Sequence, residues 1–197
     1  MGDPKLYVFY LSLSYLLGSI PFGLILSKLK GVDPRKVGSG NIGATNVMRA
    51  VGKRLGFLTL LCDLLKAGLP VLFGRISNLD PLFSISMGFA SFLGHSFPIW
   101  LKFRGGKGVA PALGAFLFFN PHATLYAIFI FVFVFFLWRY VSLASLVSSF
   151  SFPFILFLLG ERKEVVFMAS LFVALIFLRH RENIRRLKEG RENRVNL

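Results

Sequence analysis

Three segments of this 197-residue chain carry the residue types that hold phosphate. The first reads Gly38-Ser39-Gly40-Asn41-Ile42-Gly43-Ala44-Thr45-Asn46 and is followed by Arg49. Glycines at 38, 40 and 43 permit positive φ and let successive backbone N–H groups converge on one anion. Ser39, Asn41 and Thr45 add neutral donors, and Arg49 adds a guanidinium that can grip phosphate through two nitrogens. The Gly-x-Gly-x-x-Gly spacing is also the dinucleotide fingerprint, but that reading needs a preceding strand in a βαβ unit, and an apolar helical stretch stands there instead. A Gly- and Asn-rich turn without a ligand is the plain alternative.

The second segment runs Gly94-His95-Ser96-Phe97-Pro98 and then Lys102-Phe103-Arg104-Gly105-Gly106-Lys107-Gly108. It fails as a nucleotide-hydrolysing loop, because Leu101 stands where that motif needs glycine and Gly108 follows Lys107 in place of Ser or Thr. Gly105, Gly106 and Gly108 still suit close backbone approach to a phosphate beside Lys107. Lys102 and Arg104 also fit simple boundary cations, and His95 fits a structural histidine at a helix end. The third segment is Arg179-His180-Arg181-Glu182-Asn183-Ile184-Arg185-Arg186. His180 and Asn183, three apart, share one helix face. From Arg185 onward the chain reads as a solvated basic tail near anionic headgroups.

Other polar residues lie inside or beside apolar stretches. Ser142 and Ser145 open one such stretch and, taken singly, read as helix-packing residues. Asp63 and Lys66 are charges within another, either functional or a self-satisfied structural pair. Cys62 beside them reads as an inert thiol. One cysteine allows neither a disulfide framework nor a cysteine metal site, and His95, His122 and His180 lack metal-ligand spacing.

The elements that position these residues belong in lipid. The chain is 55% hydrophobic with 24 Phe, and its mean hydropathy is +0.67. A soluble domain of this length buries only about 70% of its unfolded surface, too little to hide such a load. The net charge of +14 suggests nucleic acid at first sight. The cations flank the apolar stretches, however, which points to bilayer orientation and anionic ligands, not to nucleic acid.

The expected fold is a single all-α domain over 1–197, a polytopic membrane helical bundle of about seven transmembrane helices. Apolar stretches fall at 6–29, 55–73, 82–101, 109–119, 123–138, 141–159 and 165–178. Only Lys5 precedes the first stretch, which is too long for a signal h-region and lacks a cleavage pattern, so it reads as a span. The fourth stretch would rise roughly 16 Å against a hydrocarbon core of about 30 Å, so it is short or partly re-entrant. Seven crossings with the N-terminus outside put all three basic segments and the C-terminus in the cytoplasm; six would expose the basic tail against the positive-inside rule.

Taken together, GSGNIGATN with Arg49, GHSFP followed by KFRGGKGVA, and HRENIRRL resemble the three motif regions of the bacterial acyl-phosphate:glycerol-3-phosphate acyltransferase family. The RYVSLAS stretch, the span layout and the length extend the resemblance over essentially the whole chain. The resemblance implies transfer of a fatty acyl group from acyl phosphate to the 1-hydroxyl of glycerol 3-phosphate. The products would be lysophosphatidic acid and phosphate, the first step of bacterial phospholipid synthesis. It implies no metal and no cofactor, an inner-membrane protein with a cytoplasmic site, and coupling to an enzyme that makes acyl phosphate. Residue by residue, it makes Lys107, Arg49, His180 and Asn183 catalytic. Ser39, Gly40, Asn41, Gly43, Thr45, Arg104, Gly105, Gly106, Ser142 and Ser145 become candidates for binding phosphate.

Two features of the residues agree with that chemistry. No His-x-x-x-x-Asp pattern exists, since Trp100, Ala127 and Arg185 stand five residues after the three histidines, so the donor must arrive already activated. Two phosphate dianions about 5 Å apart repel by roughly 13 kcal/mol at an effective dielectric near 20, a barrier that clustered cations remove. The rival reading is a transporter of an organic phosphate or another anion; it would place its cations near the bilayer midplane, and here nearly all lie at helix ends. A non-catalytic scaffold is a third reading, and it leaves the polar segments without a purpose.

Overall fold

The computed structural model describes residues 4–195, and among them every regular element is a helix. The chain divides into two compact units, Met1–Phe119 and Asn120–Leu197.

The first unit begins with α1 (Pro4–Gly18) and α2 (Phe22–Lys28). The span expected at 6–29 is present as Pro4–Lys28, with its helix broken at Ser19-Ile20-Pro21. Pro21 has no N–H to continue the ladder, and proline pushes the residue before it out of helical geometry. The freed Ile20 carbonyl accepts a hydrogen bond from Lys66 Nζ at 2.9 Å. A 3-10 turn at Pro34–Lys36 and the short α3 (Ala44–Val51) lead to α4 (Lys53–Ile76). Next come α5 (Pro81–Ser96), a 3-10 turn at Ile99–Leu101, and α6 (Val109–Phe119). Asp80 starts α5 by accepting from the amides of Leu82 and Phe83, with Pro81 in the first turn, where its missing N–H costs nothing. In this unit α4 packs on α5 and α6, and α1 packs on α5. Glycine permits close approach: a Cβ at Gly114 of α6 would lie 2.0 Å from the Leu64 carbonyl oxygen of α4.

The second unit holds α7 (Pro121–Trp138), α8 (Val141–Leu158), α9 (Lys163–Arg179) and α10 (Arg181–Lys188). Asn120 accepts from the Ala123 amide and donates to Glu161, so it caps α7 and ties its start to the loop before α9. Within the unit α8 packs on both α7 and α9.

Among the described residues five stretches are long and apolar enough to cross a membrane: Pro4–Lys28, Lys53–Ile76, Pro81–Leu101, Pro121–Trp138 and Val141–Leu158. Helix α6 is apolar but shorter, as its length in the sequence foretold. Large apolar side chains such as Phe129, Phe150, Phe154 and Phe167 stand exposed, which suits a solvent of lipid tails and not water.

Candidate active site

In the first unit one buried amide organises the glycine-rich loop. Asn46, 2% exposed, accepts from the Ser39 amide at 2.9 Å through Oδ1. Its Nδ2 donates to the carbonyls of Pro34, Val37 and Asn41 at 2.8, 3.1 and 2.8 Å. Gly38 and Gly40 take φ of +59° and +69°, and a Cβ at Gly38 would stand 2.4 Å from Asn46 Oδ1. The loop therefore wraps a side chain of its own. The Gly40 amide donates to the Val37 carbonyl and the Gly43 amide to Asn41 Oδ1. Thus the amides of Ser39, Gly40 and Gly43 are satisfied inside the loop, a correction to the converging anion nest that the glycine spacing suggested. Asn41 builds the turn through this contact.

Thr45 and Arg49 sit exposed four residues apart on α3, so they share one face beside the loop, and Ser39 is half-buried. The neighbouring Asp33 caps the 3-10 turn and grips Arg35. Hydrogen bonds from that guanidinium and amide hold its carboxyl well below the usual carboxylate range.

The second basic segment is tied to the end of α5. The amides of Gly106 and Gly105 donate to the carbonyls of His95 and Ser96 at 3.0 and 3.2 Å. Lys102 and Phe103 have φ of +52° and +60°, a costly reversal for side-chain-bearing residues that points the chain back at α5. Lys107 emerges half-buried just before α6, whereas Lys102 and Arg104 are exposed. His95 is buried at 4% and lies 3.5 Å from Asp63, which pairs with Lys66 at 2.8 Å.

In the second unit the polar residues gather on a carboxylate that the sequence reading passed over. Glu192 accepts from Ser142 Oγ at 2.8 Å, Asn183 Nδ2 at 2.6 Å and Arg186 Nε at 2.7 Å. The Val195 amide donates to the Arg139 carbonyl at 2.9 Å, so residues 190–195 fold back as a strap. The solvated-tail reading from Arg185 onward is thus corrected at Arg186 and Glu192, whose side chains are 26% and 7% exposed. An acidic residue after a glycine in a run of arginines was the available signal. Burial pushes the Glu192 carboxyl up, but hydrogen bonds from Arg186, Asn183 and Ser142 outweigh it and hold the group below its ordinary range.

His180, 3% exposed, joins α9 to α10. Its Nδ1 lies 2.8 Å from the Ile176 carbonyl, which can only accept, so in the neutral ring Nε2 is the basic nitrogen. Ser145 does not join the Glu192 cluster; it donates to the Val141 carbonyl of its own helix. Among the described residues no group of three His, Cys, Asp or Glu side chains could hold a metal ion.

Long apolar helices joined by ordered, basic, glycine-bearing turns define a polytopic helical membrane protein. The chain belongs to the glycerol-3-phosphate acyltransferase family, whose profile matches residues 8–190. A protein of Geotalea daltonii with the name glycerol-3-phosphate acyltransferase is 49% identical over 180 residues, covering 91% of this chain and 93% of its own. An Aquifex aeolicus protein of the same name is 47% identical over 188 residues, covering 95% and 98%. The crystal structure of PlsY, an integral membrane glycerol 3-phosphate acyltransferase in its glycerol 3-phosphate form, superposes with a TM-score of 0.93 at 46% identity over 96% of each chain. Its lysophosphatidic acid form superposes at 0.90, covering 96% of this chain and 95% of its own.

Two outcomes follow from the polar hubs. Asn46→Ala removes one acceptor and two N–H donors, and should cost about 3 kcal/mol of stability, at roughly 1 kcal/mol for each of these groups, read as a lowered melting temperature of purified protein. Glu192 has a depressed pKa, so its stabilisation is complete above the ordinary carboxylate range and is lost as pH falls through the depressed value. The melting-temperature gap between wild type and Glu192→Gln should be full at neutral pH and close in acid.

Proposed function

We propose that the chain transfers a fatty acyl group from acyl phosphate to the 1-hydroxyl of glycerol 3-phosphate. The hydroxyl oxygen attacks the acyl carbon, the bond from that carbon to the phosphate oxygen breaks, and lysophosphatidic acid and inorganic phosphate leave. The observation that carries this reading is family membership over residues 8–190. The acyl-phosphate donor is supported by the chemistry of the side chains. No histidine has an aspartate five residues on, so an acceptor activated by that dyad is not on offer, and a mixed anhydride needs less help.

Lys107, Arg49, Ser39 and Thr45 hold the anions in the first unit, with Arg104 as an outer cation and the Gly105–Gly106 turn giving backbone room. Fixed cations stabilise the oxyanion and the departing phosphate without reorganising during the reaction. The phosphate of the donor takes the hydroxyl proton as it leaves. His180 is the fallback acceptor through Nε2, and Asn183 with Ser142 and Ser145 supplies polar groups in the second unit.

The proposal also places the site on the cytoplasmic side of the bacterial inner membrane, with seven crossings and the N-terminus outside. The distribution of Lys and Arg supports it. Acyl phosphate is an anhydride that water destroys, so an enzyme forming it must work close by.

Purified protein in detergent should convert palmitoyl phosphate and glycerol 3-phosphate into equal amounts of phosphate and lysophosphatidic acid. Lys107→Ala and Arg49→Ala should each lower turnover by about 100-fold or more at an unchanged melting temperature. Cys62→Ser should retain most activity. Folded wild-type protein that uses acyl-CoA but not acyl phosphate would refute the donor.

A further inference from the structure

The Asp63–Lys66 pair and His95, which no step above uses, lead to the turn that carries Lys107. Asp63 and Lys66 lie one turn apart on α4, with side chains only 3% and 2% exposed and 2.8 Å between Nζ and Oδ1. Taking two charges out of water is costly, and an apolar pair of similar volume is often as stable or more so. Stability is thus a weak reason to keep them.

The pair is also not self-contained. Lys66 reaches the Ile20 carbonyl where α1 gives way to α2. Asp63 Oδ1 lies 3.5 Å from Nδ1 of His95, in the last turn of α5. The opposite edge of that imidazole faces the basic turn. A Cβ at Gly106 would stand 1.9 Å from His95 Nε2 and 2.6 Å from Cε1, so the ring lies directly against the glycine with no room for a side chain. The carbonyls of His95 and Ser96 hold the amides of Gly106 and Gly105 from the same helix end. Lys107 is the next residue.

With Nε2 against Gly106 and the residue 4% exposed, His95 is badly placed to take a proton from a substrate. It is well placed to set where the turn lies. We propose that Asp63, its charge balanced by Lys66, orients the His95 ring so that the ring and the end of α5 seat the Gly105–Gly106–Lys107 turn. The three are positioning residues for the Lys107 ammonium. This inference rests on Lys107 being the phosphate-binding cation of the proposed reaction. A displacement of about 1 Å in such a group can cost about 100-fold in rate, so support far from the chemistry has kinetic weight.

The test compares full-length wild type, Asp63→Asn/Lys66→Gln, His95→Ala and the triple variant, all purified in detergent. The double change leaves net charge and side-chain size nearly unaltered. Melting temperature is measured beside kcat per folded molecule and KM for glycerol 3-phosphate. Both perturbations should lower kcat per folded molecule by at least about tenfold, and the triple variant should fall no lower than the worse of the two, because they act through one contact. Where either does not fold, His95→Asn, which keeps a nitrogen near the Nδ1 position but gives up the ring edge on Gly106, should show the same kcat loss. Wild-type kcat in folded variants with only a lower melting temperature would overturn the inference and leave a merely structural cluster. Losses that multiply in the triple variant would overturn it too. An inactive wild type would instead refute the underlying reaction, so the two failures are distinguishable.

Discussion

Hydrocarbon offers no partner to a backbone amide, a carbonyl or a charge, so each must be satisfied inside the protein. That constraint shapes this chain at several helix ends. Where Pro21 interrupts the first span, the Ile20 carbonyl accepts from the Phe22 amide and from Lys66, and Lys66 is in turn paired with Asp63. Where α5 and α7 begin, Asp80 and Asn120 cover the open amides. Where the chain turns through positive φ at Gly38, Gly40, Lys102 and Phe103, a single buried group or a helix end collects the turn. The groups that make the turns tolerable beside lipid are thus the ones that give them a fixed shape.

That shared duty explains what was legible in the sequence. Apart from the first stretch, which holds two helices, and the third, which ends in a 3-10 turn, each apolar stretch reappears as one helix to within a few residues, because hydropathy is decisive when the solvent is lipid. The break at Pro21 was legible in principle from a proline inside the first stretch, but a transmembrane proline is often absorbed, as Pro70 and Pro153 are inside α4 and α8. The hubs were harder. Asn46 stood within a quoted motif yet looked like one more turn residue, since its role lies in four partners upstream. Glu192 sat among arginines and read as solvated tail, because its importance comes from Ser142 on another helix. Asp63, Lys66 and His95 were each noticed, but only the packing of α4 against α5 joins them.

The glycine spacing misled in an instructive way. Glycines at 38, 40 and 43 do provide unusual backbone geometry, but that geometry folds the loop round Asn46 and directs its amides inward. What the loop offers outward is side chains: Ser39, and Thr45 with Arg49 on the adjoining helix. Side chains carried on an ordered frame start close to the positions that the proposed binding needs. In the proposed transfer that matters, because electrostatic stabilisation is greatest when the stabilising charges need not move.

If these turns are ordered before ligand arrives, hydrogen exchange of the ligand-free enzyme in detergent will show it most directly. Peptides covering residues 38–46, 104–108 and 183–195 should exchange slowly without substrate, as expected of amides bonded within the loop that Asn46 organises, at the end of α5 and in α10 and the strap that Glu192 anchors. Rapid exchange in all three segments, slowing only when glycerol 3-phosphate is added, would mean that the ligand builds these turns and would contradict that order.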